Sequence, residues 1–110
     1  MTIEDLKEYG ANVQEGIDRC AGMPDFYLRL AERVKQEKGF EKLESAIKEK
    51  RLKDGFEAAH ALKGVLGNLA LTPMYEPIRE ITELLRVETD TDYMPLLNEI
   101  LEQKRKFDLL

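Results

Sequence analysis

The chain has 110 residues, 43% hydrophobic and 35% charged, with Lys+Arg 17 against Asp+Glu 22 and a formal net charge of -5. That length suits one domain, the apolar share excludes wholesale disorder, and an acidic chain without a long basic run excludes nonspecific nucleic-acid binding. A single cysteine, Cys20, excludes an internal disulfide framework and a multi-cysteine zinc site.

No stretch approaches the roughly 18 consecutive apolar residues of a membrane span. The opening Met1-Thr2-Ile3-Glu4-Asp5 lacks the apolar block of a secretory signal. A small, soluble, cytoplasmic single domain is expected. Four prolines, seven glycines, no tryptophan and no sustained alternation of Val, Ile or Thr with polar residues make helix the expected element throughout.

In chain order, Thr2 with Glu4 and Asp5 predicts an N-cap and a short helix that Gly10 ends. Asn12 with Glu15 has capping-box spacing for a second short helix, closing near Gly22. Pro24 suits the first turn of an amphipathic segment carrying Phe26, Leu28, Leu30, Ala31 and Val34, which Gly39 breaks. A further segment follows with Phe40, Leu43, Ala46, Ile47 and Leu52. Asp54-Gly55 reads as a turn, and the next helix is predicted from Phe56 to near Leu71. Thr72-Pro73 predicts a cap and a first-turn proline for another helix, with Pro77 distorting its first turn. Asp92 is the predicted cap of the last helix, whose apolar face is Leu96, Leu97, Ile100, Leu101 and Phe107. Short loops favour antiparallel neighbours and hence an all-α helical bundle over residues 23–110, preceded by short helices in residues 1–22.

The segment from Phe56 to Ala70 is the most informative. On a helical wheel Ala58, Ala59, Leu62, Val65, Leu66 and Leu69 share a stripe spanning roughly 120°. His60, the only histidine, lies outside it with Glu57, Ala61, Gly64, Gly67 and Asn68, so it is expected to face solvent. Each helical glycine lowers stability by about 1 kcal/mol relative to alanine. Gly64 and Gly67 therefore suggest a surface kept low for another protein to approach His60, or else room for a neighbouring helix.

One histidine does not make a metal site, for which three or four protein ligands are needed. There is no Gly-x-Ser-x-Gly elbow for a serine hydrolase, and no strand precedes the glycines as a dinucleotide site requires. An imidazole acting as a nucleophile remains. With an ordinary pKa of about 6.5, its neutral form offers a nitrogen lone pair at pH 7. Lys63, one turn on, can set an ammonium near an incoming phosphate. Lys48, Lys50, Arg51 and Lys53 form a basic cluster that either complements a helix end or attracts an acidic partner. Tyr9, Met23, Phe26 and Tyr27 are candidates for an apolar rim where the short helices meet the bundle, with burial in the core as the default for such residues. Asn68 is expected to tie its helix to a neighbour.

His60-Ala61-Leu62-Lys63-Gly64, followed by Gly67-Asn68-Leu69-Ala70-Leu71, resembles the signature of the histidine-containing phosphotransfer (HPt) domain. The likeness extends forward into Thr72-Pro73-Met74-Tyr75-Glu76 and back to Leu43-Glu44-Ser45-Ala46-Ile47. Ala70 stands where the family usually has glycine, and Pro77 lies in a helix that is normally uninterrupted.

The resemblance implies an antiparallel four-helix bundle with short N-terminal helices packed across one end. It implies that His60 accepts a phosphoryl group from a receiver-domain aspartate and passes it to another, with Lys63 and the partner's cations balancing charge; on that helix face Gly64 and Gly67 are then read as the docking clearance. Its partners would be response-regulator receivers and a hybrid histidine kinase, with magnesium in the receiver's acidic pocket and no cofactor, bound metal or ATP-dependent kinase activity of its own. With no heptad seam, a monomer is expected. The alternatives are a helical adaptor that binds a receiver without being phosphorylated, and the detached phospho-accepting domain of a histidine kinase.

Overall fold

The first helices form where local chemistry supplies caps. In the computed structural model, which describes residues 1–110, α1 (Ile3–Tyr9) opens on a reciprocal capping box. The Thr2 hydroxyl accepts the Asp5 N–H at 3.1 Å, and the Asp5 carboxylate accepts the Thr2 N–H at 2.9 Å. Gly10 ends α1 at φ +110°, a conformation natural to glycine. In α2 (Val13–Arg19) the Asn12 side chain accepts the Glu15 N–H. Pro24 occupies the first turn of α3 (Pro24–Arg33), which runs into a 3-10 turn at Val34–Gln36. The expected break follows, but Gly39 is the first residue of α4 (Gly39–Lys48) rather than a linker. A side chain at Gly39 would come within 2.9 Å of Leu62, so its bareness lets α4 close on α5.

α5 (Leu52–Asn68) departs from the sequence expectation at both ends. Asp54-Gly55 is not a turn, and Leu52 begins α5 instead of continuing α4. The reversal lies at Glu49–Arg51, where Lys50 adopts φ +58° and the Arg51 N–H returns to the Ala46 carbonyl at 2.8 Å. Gly55 is helical and buried, with Ile47 and Leu85 closing around it. At the other end α5 stops at Asn68, and Ala70 takes φ +53° in the link to α6.

α6 (Thr72–Arg86) starts with Leu71 in the cap position, so Thr72 is its first residue rather than its cap. The Leu71 carbonyl accepts from both Met74 and Tyr75, which tightens the first turn. The helix then continues through the buried Pro77 without a break. The proline removes only the N–H that would have met the Pro73 carbonyl. In α7 (Met94–Asp108) the Asp92 carboxylate accepts the Met94 N–H at 3.0 Å, while Tyr93 holds the cap position and Pro95 lies in the first turn.

There are no strands. α4 packs on α5, α5 on α6, α6 on α7, and α7 touches α4. α5 and α6 run antiparallel, since Gly67 faces Tyr75, Lys63 meets Glu83, and Phe56 meets Arg86. Leu62, Leu66, Ile78, Ile81, Leu97 and Phe107 are fully enclosed in one buried cluster, which Leu6, Val13 and Cys20 of the N-terminal segment join.

That segment is tied to the α5–α6 junction and to α7. The Asn12 N–H donates to the Ala70 carbonyl at 3.0 Å, and the Tyr27 hydroxyl donates to the Leu69 carbonyl at 2.9 Å. Tyr9 donates to the Gln103 carbonyl and packs edge-on against Phe107. Tyr27 is thus buried rather than part of an apolar rim, and its enclosure pushes its phenol up to about 12. Met23 and Phe26 are exposed.

Candidate functional site

α5 turns Ala59, Leu62 and Leu66 inward, with Gly55 on the same buried side. Val65, expected in that stripe, is instead 38% exposed, so the buried band is narrower than the wheel suggests and the outward face broader. His60 lies on the outward face and is exposed. Its imidazole is stacked on the Phe56 ring one turn earlier, with centroids 5.5 Å apart and planes inclined by 19°. Over that same Phe56 ring sits the Arg86 guanidinium of α6, 4.9 Å from the centroid. Phe56 thereby links the histidine of one helix to a cation of the next.

A second linkage runs beside it. The Lys63 ammonium lies 3.6 Å from a Glu83 carboxylate oxygen, and Glu83 accepts from Arg86 Nε at 3.0 Å. The Arg86 hydrogen bond, helped by Lys63, holds the Glu83 carboxyl below the usual carboxylate range. Two cations and one carboxylate therefore stand together on the α5–α6 surface next to the histidine.

The two glycines on this side of α5 part company. A side chain at Gly64 would meet nothing within 4 Å, whereas one at Gly67 would come within 2.9 Å of the Tyr75 ring. Gly64 is open to a visitor, and Gly67 gives Tyr75 of α6 its place. Alongside Gly64 runs a groove of about 560 Å³ between α3 and α5, lined by residues including Leu30, Arg33, Val34, Val65 and Asn68. The Asn68 side chain is exposed and hydrogen-bonds to no neighbouring helix, contrary to expectation, because α5 ends at that residue with the side chain outward. In the basic cluster, Lys48 pairs with Glu44 at 2.8 Å and Arg51 with Asp54 at 2.6 Å and Glu49 at 3.2 Å. The Arg51 pairs span the α4–α5 turn, and the Lys48 pair lies within α4.

An exposed imidazole, held flat against an aromatic ring with an ammonium one turn away and bare backbone beside it, is suited to group transfer. Residues 25–107 match the family model of the Hpt domain. The chain belongs to the Hpt domain family. No curated protein and no solved structure matches it. Hpt domains are phosphocarrier modules of two-component signalling, not kinases, and they interact with receiver domains. No helix of this Hpt domain is long and apolar enough to cross a membrane.

Phe56, Glu83 and Arg86 did not emerge from the sequence as site residues. Phe56 had a signal, its place four residues before His60 on one helical side. Glu83 and Arg86 had none, because only the antiparallel register of α5 and α6 brings them to the histidine's surroundings.

Proposed function

We propose that this Hpt domain is a phosphorelay carrier in which His60 takes a phosphoryl group from a receiver phospho-aspartate and hands it to another receiver. The neutral imidazole nitrogen forms the N–P bond with its lone pair as the acyl P–O bond breaks. The bond's electron pair leaves with the donor carboxylate, and the proton on the other ring nitrogen stays until water takes it. Onward transfer reverses these steps with the acceptor aspartate as nucleophile. Catalysis rests on positioning and on charge balance, with Lys63 and the receiver's cations, its magnesium included, facing the phosphoryl oxygens.

The reading extends to architecture. α4 to α7 form an antiparallel four-helix bundle, α1 and α2 close one end, and residues 1–110 act as one monomeric, cytoplasmic unit. The observation that carries it is the exposed His60 ring beside the open backbone of Gly64. Gly64 is the docking clearance; Gly67, occupied by Tyr75, contributes to it only at its edge.

The test is incubation with phosphorylated receivers of the source organism, scoring phosphate that is acid-labile and alkali-stable. Transfer to the wild-type chain and none to His60→Gln is the expected result. Receiver binding without transfer would favour the unphosphorylated adaptor, and transfer that survives His60→Gln would remove the assignment of the nucleophile.

A further inference from the structure

We propose that Glu83 is a positioning residue that limits how strongly the phosphoryl group is held on His60, by competing with it for the Lys63 ammonium. The inference rests on His60 being the phosphoryl acceptor and adds a residue of α6 to that site. Two contacts of Glu83 differ in kind. Its bond to Arg86 Nε is a direct hydrogen bond at 3.0 Å, so the carboxylate is anchored on its own helix. Its approach to Lys63, at 3.6 Å, is a looser ion pair across to α5. Glu83 is therefore held in place by Arg86, while Lys63, on its four-carbon stem, is free to exchange partners.

Lys63 follows His60 by three residues, so both project from the same side of α5. A phosphoryl group carries close to two negative charges near neutral pH, against one on a carboxylate. When the N–P bond forms, the ammonium moves from Glu83 to the phosphoryl oxygens, and the Glu83–Arg86 pair remains. The phosphorylated state thus forfeits the Lys63–Glu83 attraction, and the unphosphorylated state regains it. Such a carboxylate favours release, which is what a carrier needs if it is to pass its cargo on. Removing its charge while keeping its shape makes His60 a stronger holder.

The experiment uses the full chain and potassium phosphoramidate, a small donor that needs no receiver. At a fixed ratio of phosphoramidate to ammonium chloride, intact-mass spectrometry at pH 8 gives the ratio of phosphorylated to free chain. Glu83→Gln is expected to raise that ratio about two- to fivefold, the scale of an exposed ion pair. The gain should shrink in 1 M NaCl, where screening extends to roughly 3 Å. Glu83→Asp, which keeps the charge, should stay closer to wild type. In a Lys63→Gln background, Glu83→Gln should produce little gain, because the contested ammonium is gone.

An unchanged ratio in Glu83→Gln would overturn the competition while leaving His60 as acceptor. An equal gain with and without Lys63 would also overturn it, since Glu83 would then act on the phosphate directly. If wild-type His60 takes no label at all, the carrier reading itself fails, and this inference with it.

Discussion

The last turn of α5 and the turn carrying His60 belong to one helix, yet their surroundings are opposite. Around Gly67, Leu69 and Ala70, Tyr75 fills the space over the glycine, Tyr27 takes the Leu69 carbonyl, and Asn12 donates to the Ala70 carbonyl. Around His60 and Gly64, the imidazole is exposed and stacks on Phe56, and nothing stands over the glycine. The same residue type serves both regions for opposite reasons. Glycine at the closed end admits a neighbour of its own chain, and glycine at the open turn has open space beside it, which the proposed carrier role assigns to a docking partner. Low side-chain volume on a helix thus becomes a functional clue only when nothing inside the fold claims the space.

The contrast breaks most visibly at Gly16, where an added methyl would lie 2.3 Å from the Tyr27 ring and 2.8 Å from the Leu69 carbonyl. Gly16→Ala is expected to destabilise the fold by about 3 kcal/mol in urea unfolding, while the folded fraction still transfers phosphate at the wild-type rate. A small shift in midpoint would show that the closed end is looser than its geometry implies. At the open turn the signs invert. Gly64→Gln gains helix propensity, so unfolding should show a rise of about 0.5–1 kcal/mol. Its receiver-dependent transfer should nevertheless slow about tenfold, because the side chain stands where a partner must approach. Equal transfer rates would remove Gly64 from the docking surface.

The gentlest probe is Tyr27→Phe, which removes one hydrogen bond and should cost about 1 kcal/mol at neutral pH. It also sharpens the comparison through pH. The folded phenol is raised to about 12 from an ordinary 10.0. Its stabilising contribution is therefore complete below pH 10 and is lost as pH climbs toward 12, where the unfolded chain has ionised first. Melting curves of wild type should fall across that window, and those of Tyr27→Phe should fall less. Parallel curves would mean that the phenol is not enclosed as described.

The capped starts were legible because they are local. Thr2 and Asn12 each carry a side-chain acceptor three residues before the N–H it meets, and Pro24 can only begin a helix comfortably. Helix ends were harder, for a specific reason. Ala21, Lys50, Ala70 and Glu88 all adopt positive φ, so several reversals lack the glycine that ordinarily marks them. Meanwhile Gly55, which followed Asp54 like a turn signal, is spent inside α5 to let Ile47 and Leu85 close in. Tertiary packing overrode a dipeptide preference.

At the site, His60, Lys63 and Gly64 could be read because they share one helical side. Whether Gly67 was open or filled could not, since Tyr75 belongs to another helix. Glu83 and Arg86 follow His60 by more than twenty residues. Their arrival depends on the register of two helices, which no local pattern encodes.

The seating of α1 and α2 on the α5–α6 junction has a practical corollary for portability. The stretch matching the family begins at residue 25, yet Leu6, Val13 and Cys20 sit within the buried cluster. Cutting this module at the family boundary would strip three apolar plugs and withdraw the donor that meets the Ala70 carbonyl. Anyone transplanting this Hpt domain into a chimeric chain should splice upstream of Thr2, so that α1 and α2 travel with the α5–α6 junction they close.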